Sequence, residues 1–441
     1  MNKTIINSFD GTEIINGFIE RPEKYSHLYN IANSTQGIIA RGSGLSYCAA
    51  ASGNDITSID MKRFNRILSF DEANGIIKVE CGLTIGNFIS FIVKRGWYFN
   101  VIPGYPSITI GGCIAFNVHG KSQFNIGTFG NHVKELTLYH PAYGEIVCNR
   151  SQNKDIFNLT IGGFGLTGVI LDVTLVLSPL QGNSITRDTI KCKNLSDSVE
   201  KMHAFKNDSE NVYSWNNLNL SDSNFGKGII YREKFYQGKA FQSKDYNYTL
   251  LKPNTWKKFG VNFINNFTQQ FISFVYYQKE NIAPSSSILS IAESTFPIYG
   301  KEIYYYLFGK QGFREYQLIV PLDKADNLFF GLHGLIKKYN MPVSLGSLKL
   351  FKGENKYLNF CTDGICLAID IPATAKSINF FSEIDSLVIK SNGIANLSKD
   401  SRLQANTLAK MFKEYSYFKS ELFRYDPRKC FTSSLRQRIE V

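Results

Sequence analysis

A glycine-rich stretch at residues 101–133 contains the residue types of this chain that are best suited to chemistry on a bound ligand. Glycine lets backbone amides approach a phosphate or an aromatic ring without a side chain in the way. His119 lies between Val118 and Gly120, where its imidazole can be directed at a bound ring. Another glycine-rich turn, the first of the two along the chain, occupies residues 41–47, and the stretch at 101–133 contains the second. Glycine pairs also occur in loops that bind nothing, so it is the presence of both turns that favours a ligand site.

Short strands and helices must position these two turns. Apolar runs at residues 38–40, 56–60 and 76–81 predict strands. Between Thr84 and Gly96, apolar residues recur at helical spacing, with threonine as a suitable N-cap and glycine as a stop. Strands and helices therefore alternate, which is typical of an α+β or α/β domain.

A G-x-G-x-x-G pattern runs from Gly163 to Gly168 and resembles the fingerprint of a Rossmann dinucleotide site. That fingerprint requires a helix directly after the glycines. Residues 169–177 instead alternate with β-branched side chains, which predicts a strand. The pattern is therefore not interpreted as a Rossmann turn.

Composition limits the class of protein. A chain of 441 residues exceeds the size of one ordinary core, which favours two domains. Its hydrophobic content of 43% and charged content of 20% indicate a globular fold. The eight cysteines form no CxxC pair and no His–Cys cluster, so we expect small buried thiols, no disulfide framework and no metal site.

The net charge of +12 favours an anionic partner, such as a cofactor phosphate, a phosphorylated substrate or an acidic membrane surface. No nucleic-acid motif is present, so we expect no nucleic-acid partner. No apolar run approaches the roughly 20 residues of a membrane span. The first residues also lack the apolar core of a signal peptide, so a cytoplasmic location is expected, with peripheral membrane contact left open.

The segment at 111–133 and the turn at 41–47 together resemble the FAD-binding domain of the vanillyl-alcohol-oxidase family, the PCMH type. The resemblance extends over nearly the whole chain and points to the branch of that family that oxidises decaprenylphosphoryl-ribose. It implies an α+β flavoprotein with an FAD-binding domain at 1–180 and a substrate domain on an antiparallel sheet at 181–394. Residues 395–441 would then return to the FAD-binding domain.

The resemblance implies non-covalent FAD, because the first loop offers Tyr47 and no histidine for covalent attachment. In the family the segment after Gly162 also lies beside the dinucleotide. Asn396 stands where the family has an aromatic flavin contact, which puts that contact in doubt. The implied cofactor-binding residues are Arg41, Gly42, Ser43, Gly44, Leu45, Ser46, Tyr47, Gly104, Thr109, Ile110, Gly111, Gly112, Asn117, His119, Gly163 and Ile170.

The implied reaction is oxidation of the 2′-hydroxyl of a polyprenyl-phosphate-linked pentose to a 2′-keto sugar. This would be the first half of an epimerisation in cell-envelope glycan synthesis, with a separate keto-reductase as a partner. Lys399 matches the active-site lysine of the family and acts either as a base with a lowered pKa or as a cation that polarises the hydroxyl. The implied catalytic residues are Lys399, His119 and Tyr47, and the implied substrate-binding residues are Lys349, Gln317, Trp215 and Cys366.

Two other functions are compatible with these residues. One is an FAD-dependent oxidase of a soluble sugar, an aldonolactone or a sugar alcohol. The other is a flavoprotein that has lost catalysis and serves as a binding subunit. The matches at Lys349, Gln317 and Lys399 favour the lipid-linked substrate, because these residues belong to the substrate domain or to the active site. In the mycobacterial relatives a reactive cysteine occupies the position of Ala368, and Cys366 shares its strand face.

Residues 225–279 combine charge with aromatic side chains. Between Phe225 and Lys258 there are eight Lys or Arg and two Asp or Glu. Phenylalanines then recur every four residues from Phe259 to Phe271. Such a stripe is typical of a helix packed on a core. Next to a basic run it also suits contact with anionic lipid, or a groove for a lipid tail.

Overall fold

The structure, a computed structural model, describes residues 2–219, 224–238 and 260–441. Its strands, numbered in chain order, are β1 (Thr4–Asn7), β2 (Ile14–Glu20), β3 (Ile38–Arg41), β4 (Thr57–Asp60), β5 (Ile67–Asp71), β6 (Ile76–Glu80), β7 (Trp97–Tyr98), β8 (Val133–His140), β9 (Gly144–Asn149), β10 (Val169–Val176), β11 (Ser178–Pro179), β12 (Ser184–Cys192), β13 (Asn211–Asn216), β14 (Gly228–Phe235), β15 (Ser286–Ser290), β16 (Phe313–Val320), β17 (Leu345–Phe351), β18 (Gly364–Pro372) and β19 (Ile394–Ala395).

The α-helices of the described residues lie mostly between or after these strands. They are α1 (Tyr25–Ser34), α2 (Ile85–Val93), α3 (Ile110–Ala115), α4 (Gln123–Ile126), α5 (Lys154–Thr160), α6 (Leu195–Phe205), α7 (Asn266–Ile282), α8 (Ile291–Thr295), α9 (Ile303–Tyr306), α10 (Ala325–Tyr339), α11 (Ala375–Lys390), α12 (Ala405–Met411), α13 (Tyr415–Tyr425) and α14 (Ser434–Ile439). Among the described residues, no helix combines the length and the apolar character that a membrane crossing requires.

Two sheets surround the glycine-rich turns. The first has the order β1-β2-β4-β3, and β4 runs parallel to both β2 and β3. The second has the order β5-β6-β10-β8-β9 and is antiparallel. The predicted strands and helix of this region are confirmed, including the cap at Thr84, whose side chain accepts a hydrogen bond from the Asn87 amide. The segment after Gly168 is strand β10, so the Rossmann pattern is indeed followed by a strand.

A larger antiparallel sheet follows in sequence, with the order β15-β12-β14-β13-β17-β18-β16-β19. Alternate residues of a strand point to opposite faces. One face of the central strands is apolar and packs with α10 and α11, as the burial of Leu318, Leu348 and Leu367 in one core cluster shows. The opposite face is left for polar side chains. The α+β fold with a sheet-based second half agrees with the sequence prediction.

The last 45 or so residues pack against the first sheet as well as the large one. Phe431 forms a parallel bridge with Ile38 of β3, and the Thr432 amide donates to the Ile38 carbonyl at 2.9 Å. Nearer the cavity, the Tyr47 amide donates to the Ser398 carbonyl at 3.0 Å. The segment that contains Lys399 is therefore held directly against the first glycine-rich turn.

The interpretation of the phenylalanine stripe as a core-packed face is wrong. Helix α7 begins only at Asn266, so it contains the second half of the stripe, and there Phe267 is 82% exposed and Phe271 is 63% exposed. The buried side of α7 is polar, because Gln269 and Ser273 face Asn219, whose side-chain amide donates to the Ser273 hydroxyl at 2.9 Å. Phe259 and five of the eight basic residues of the preceding run lie outside the described residues.

An ion pair fastens the Lys399 segment to α11. The two terminal guanidinium nitrogens of Arg402, Nη1 and Nη2, donate to the Asp385 carboxylate at 2.6 and 2.9 Å. The buried hydroxyl of Tyr316 donates to the same carboxylate at 2.6 Å. Removing this carboxylate would leave the buried Tyr316 hydroxyl without its acceptor and Arg402 with Asp400 alone, 3.1 Å from its Nη2.

We therefore expect Asp385→Ala to lower the free energy of unfolding by about 3–5 kcal/mol, the usual loss when one partner of a buried pair is removed. Urea denaturation followed by circular dichroism measures it. Asp323→Ala is the control, because Asp323 pairs with Lys324 at an exposed turn and should change stability by less than about 0.5 kcal/mol. Equal losses in the two variants would contradict the anchoring role of Asp385.

Candidate active site

A cavity of about 740 Å³ lies between the glycine-rich turns and the polar face of the eight-stranded sheet. Its volume is in the range of cofactor and substrate pockets, roughly 300–1,000 Å³. One wall is formed by residues 42–47 and by parts of 100–121, and the opposite wall by β13, β16 and β17. The cavity thus joins the two parts of the chain that sequence analysis assigned to cofactor and substrate.

The first glycine-rich turn presents a row of unpaired backbone donors. Ser43, Gly44, Leu45 and Ser46 line the cavity, and their amides donate to no other group in the part of the chain that the structure describes. Gly44 has φ +68°, a left-handed conformation that favours glycine. Successive amides around such a residue form a concave anion site. The turn therefore fits the pyrophosphate of a dinucleotide.

The second turn depends on close packing around α3. Thr109 caps this helix, and its hydroxyl would lie 2.1 Å from a Cβ added at Gly42. A Cβ at Gly111 would lie 3.1 Å from the Cys81 carbonyl oxygen. The two turns therefore approach each other where only glycine leaves enough room. This close contact fixes the position of one backbone relative to the other within the same cavity wall.

Most of the predicted cofactor residues line this cavity, but three do not. The Arg41 guanidinium folds back beneath Gly44, because a Cβ added at Gly44 would lie 2.1 Å from Arg41 Nη2. Ile110 is fully buried in the core cluster beneath α2. Gly163 packs against the Leu159 carbonyl of α5. The predicted residues in the cavity wall are Gly42, Ser43, Gly44, Leu45, Ser46, Tyr47, Gly104, Thr109, Gly111, Gly112, Asn117, His119 and Ile170.

His119 lies where the two walls meet. Its ring packs 4.8 Å from that of Phe351, and Nε2 lies 3.4 Å from the Gln317 side-chain nitrogen. Burial, followed by the charges of Lys349 and Lys399, holds the pKa of His119 well below its usual 6.5. The imidazole is therefore neutral, and Nε2 can accept a hydrogen bond from Gln317.

Asn396 has a role that the family pattern did not predict. It lines the cavity, and its side-chain amide donates to the Gln317 carbonyl oxygen at 2.6 Å. This hydrogen bond determines which end of the Gln317 amide faces His119. Asn396 thereby orients a chain of three polar side chains along the cavity wall.

Lys399 faces the cavity from the C-terminal segment. Its Nζ lies 3.7 Å from the centre of the Tyr47 ring and 3.5 Å from Glu315 Oε2. Tyr47 is itself stacked on Phe9 with ring centres 5.0 Å apart, and burial raises its pKa well above 10. A neutral tyrosine and one carboxylate therefore hold the lysine ammonium group at the junction of the two walls.

The far end of the cavity contains a second group of charges. Burial lowers the pKa of Lys121 to about 8, opposed by the nearby Glu233. Arg187 donates to the Glu233 carboxylate at 2.6 and 2.8 Å. Burial also lowers the pKa of Lys349, which lies opposite Tyr213 on the neighbouring strand. Glu233 is thus one carboxylate among several cations.

Trp215 and Cys366 occupy different depths. Trp215 lines the cavity and makes an edge contact with Tyr276 of α7, with ring centres 4.7 Å apart. Cys366 lies opposite Lys349 in the sheet but is buried below the cavity surface, whereas Ala368 reaches it. Cys366 is thus not in the cavity wall, although it shares the strand face that the sequence predicted.

Sequence reasoning did not single out several residues of this wall. Glu315 is two residues before Gln317, and Lys121 two residues after His119. The two-residue period of a strand would have placed Glu315 beside Gln317. Nothing local indicates the rest, because they converge from separate elements. The unpredicted charged and aromatic lining residues include Lys121, Arg187, Tyr213, Tyr231, Tyr276, Lys279, Glu280, Lys301 and Glu315.

One group of potential metal ligands occurs among the described residues, away from the cavity. It consists of His140, Asp426 and Cys430. The Asp426 carboxylate already accepts hydrogen bonds from the Cys430 and Phe431 amides and lies 3.3 Å from Arg436. A buried guanidinium at that distance repels a cation, so the group is a structural network that holds the C-terminal segment.

Comparison with known proteins agrees with the cofactor assignment. Residues 19–148 match the family described as FAD binding domain, a range that includes both glycine-rich turns. The chain therefore contains a PCMH-type FAD-binding domain, and it is an FAD-dependent oxidoreductase.

Among full-length relatives, it is similar to decaprenylphosphoryl-β-D-ribose oxidase of Mycolicibacterium smegmatis. The two are 27% identical over 419 residues, which are 92% of this chain and 90% of the relative. D-lactate dehydrogenase of Anaerostipes hadrus is 27% identical over 152 residues, which are 33% of this chain and 32% of the relative. The mitochondrial D-lactate dehydrogenase [cytochrome] 1 of Saccharomyces cerevisiae is 27% identical over 128 residues, 27% of this chain and 22% of the relative.

The residues present suit FAD, and their geometry assigns roles to them. When bound, FAD supplies the acceptor for the hydride that leaves the alcohol carbon. The unpaired amides of residues 43–46 would hold its pyrophosphate. Lys399 and Gln317 extend from the opposite wall and can orient an alcohol, and neutral His119 holds the Gln317 side chain through Nε2. Fixing the alcohol in one pose is itself a large part of catalysis.

We expect FAD to be released completely when the purified protein is precipitated with acid. The reason is that the first turn contains Tyr47 and no histidine, and the cysteines of the second turn and its surroundings are buried in the core. The absorption spectra of supernatant and pellet measure the release. Flavin that stays with the washed pellet would contradict the prediction and show a covalent bond.

Proposed function

We propose that this oxidoreductase converts the 2′-hydroxyl of a polyprenyl-phosphate-linked pentose, such as decaprenylphosphoryl-ribose, to the 2′-keto sugar. The oxidation would be the first half of an epimerisation in cell-envelope glycan synthesis. A separate keto-reductase would then reduce the ketone from the other face. Among the proteins compared, the similarity to decaprenylphosphoryl-β-D-ribose oxidase supports this substrate, because 92% coverage must include most of the eight-stranded sheet.

The observation on which the proposal mainly rests is the charge of the cavity. Its lining includes six Lys or Arg side chains and two Glu side chains among the described residues. Buried charges are costly unless an opposite charge compensates them. The pyrophosphate of FAD faces the amides of the first turn, so the cations on the sheet side are available to a second anion. A phosphate next to a sugar meets this requirement, whereas a neutral aldonolactone does not.

The positions of these cations suggest how the substrate lies. Lys121, Arg187 and Lys349 are close enough for the charges of Arg187 and Lys349 to lower the pKa of Lys121. Lys399 lies beside Tyr47, and its charge acts on His119 as that of Lys349 does. A phosphate among the first three would leave the sugar near Gln317 and Lys399. The polyprenyl chain would then leave the cavity along its aromatic lining.

Helix α7 supports contact with a lipid surface. Its exposed side chains Phe267, Phe271 and Phe274 recur at i, i+4 and i+7 and so form one face. The same helix lines the cavity with Tyr276, Lys279 and Glu280. We infer that this face inserts into an anionic membrane, which would bring the cavity to the surface where a polyprenyl phosphate resides. The five lysines at 239–258 add positive charge in the adjoining sequence.

The substrate proposal is tested by mixing the oxygen-free protein with candidate alcohols and following bleaching of the flavin. We expect a short-chain polyprenyl-phosphoryl ribose to reduce the flavin, and free ribose, aldonolactones and sugar alcohols to do so at least 100-fold more slowly. Lys399→Ala should retain FAD but slow reduction by about 100-fold or more, because a group that handles the hydroxyl proton is lost.

Lys410→Ala is the control for this variant, because Lys410 is an exposed lysine on α12 of the same C-terminal segment. It should reduce at the parental rate. If the soluble sugars reduce the flavin as fast as the lipid-linked sugar, the alternative function is correct. If Lys399→Ala reduces at the parental rate, the role of Lys399 is wrong whatever the substrate.

The membrane proposal predicts co-sedimentation with phosphatidylglycerol vesicles at low salt and less with phosphatidylcholine vesicles. Burying a phenylalanine contributes about 1.5–3 kcal/mol, so Phe267→Ser with Phe271→Ser should weaken binding at least tenfold. Phe330→Ser is the control, because Phe330 is 84% exposed on α10 and should not affect binding. Equal recovery of both variants, or equal binding to both vesicle types, would contradict insertion of α7.

A further inference from the structure

Two carboxyl groups face each other beneath Lys399. Glu315 on β16 is directly opposite Asp370 on β18 in the antiparallel register, and the charge of Glu315 acts on Asp370. Glu315 is 6% exposed and Asp370 is 2% exposed. Like charges directly opposite in a sheet repel, and burial increases the repulsion. Two ionised carboxylates at this place would therefore destabilise the sheet.

The hydrogen-bond partners of Asp370 indicate where a proton lies. Its Oδ2 accepts a hydrogen bond of 2.7 Å from the Tyr304 hydroxyl. Its Oδ1 is buried and accepts no hydrogen bond from any donor among the described residues. A buried carboxylate oxygen without a donor is costly. A proton between Asp370 Oδ1 and Glu315 would satisfy this oxygen and remove the repulsion at once.

The surroundings are consistent with that position for the proton. Burial, followed by the charge of Glu315, raises the pKa of Asp370 well above its usual value. Glu315 instead has an ammonium group nearby, since Lys399 Nζ is 3.5 Å from its Oε2. On β18 itself, the titratable neighbour of the pair is Cys366. The titratable groups that face the pair from other elements are Tyr304 and Tyr305 of α9, Tyr47 of the first turn, Lys349 of β17 and Lys399.

We propose that Glu315 and Asp370 share one proton, held on Asp370, and that their single negative charge positions Lys399 and receives the proton that the alcohol loses. Glu315 and Asp370 are thus positioning and proton-accepting residues, and Lys399 is the group that contacts the alcohol. The inference requires alcohol oxidation but no particular alcohol, so it does not rest on the proposed lipid-linked substrate.

The proton transfer balances in one step. As the alcohol C–H bond breaks, its electron pair and hydrogen pass to the bound FAD as hydride. The hydroxyl proton passes to Lys399 as Lys399 releases one of its own protons to the Glu315 carboxylate, and the C=O bond forms. Lys399 ends with the same charge, and the carboxyl pair goes from one proton to two. Loss of that proton to solvent restores the pair.

The shared proton is tested without any substrate, by the infrared carbonyl band of protonated carboxyl groups in the FAD-bound protein at pH 7. We expect Asp370→Asn to lose one such band. Glu315→Gln should lose it too, because an amide donor replaces the proton and Asp370 ionises. Asp323→Asn, at an exposed turn, should keep every band. Survival of the band in Glu315→Gln would overturn the sharing, because burial alone would then protonate Asp370.

Stability against pH provides a second readout. An aspartate in the unfolded chain ionises near pH 3.9, whereas burial raises the pKa of Asp370 in the folded protein and the proposed shared proton would stay on it. The folded state then binds one more proton, so parental stability decreases as the pH rises above about 4. Asp370→Asn removes this loss. Relative to the parent, the ratio of folded to unfolded protein in Asp370→Asn should therefore increase about tenfold for each pH unit between pH 5 and 7. No gain over that range would overturn the proposal.

The proton transfer is tested by the rate of flavin reduction, with whichever alcohol reduces the parental flavin. Glu315→Gln should slow reduction by about 100-fold at saturating alcohol, with little change in the alcohol's dissociation constant. Asp370→Asn should slow it less, because Glu315 still neighbours Lys399. The pH profile of the rate should also change in Glu315→Gln, since an amide replaces the carboxylate next to Lys399 and only the Asp370 carboxylate remains near it. A parental rate and pH profile in Glu315→Gln would overturn the proton-accepting role.

Discussion

The pleat of the eight-stranded sheet is the constraint on which this active site depends. Alternate side chains must point to opposite faces, so each central strand provides both core and cavity. On β16, Tyr316 and Leu318 are buried toward α10 and α11, while Glu315 and Gln317 face the cavity. A shift of one residue in register would exchange the two sets. Packing of the apolar face therefore also determines where the catalytic groups stand.

The contact between the first glycine-rich turn and the C-terminal segment joins cofactor and substrate walls. The Tyr47 amide donates to the Ser398 carbonyl, and the Cys48 thiol lies 3.2 Å from the Leu397 carbonyl. These bonds connect residues separated by about 350 positions in sequence. They place Lys399 against Tyr47 and keep it at a defined distance from the amides that suit a pyrophosphate. The Arg402–Asp385 pair holds the same segment from the side of the sheet.

Charge is distributed in an unusual way for a buried site. The cations on the sheet side outnumber the carboxylates, and the two carboxyl groups that lie closest together share an interaction with Lys399. Such an arrangement is costly in an isolated protein. Anionic ligands offset the excess of cations, and a shared proton offsets the repulsion between Glu315 and Asp370. The electrostatics of the site are thus complete only with cofactor and substrate bound.

The sequence by itself determined the local features of this protein. The two glycine-rich turns, the Thr84 cap and the strand after Gly168 depend on neighbours along the chain, and all were predicted. The resemblance based on those turns also led to FAD. Only the tertiary structure decided which distant side chains meet. Glu315 faces Asp370 because β16 pairs with β18, and Asn396 reaches Gln317 because β19 adds to the sheet edge. Helix α7 shows the same limit, because periodicity defines an apolar face but not what that face contacts.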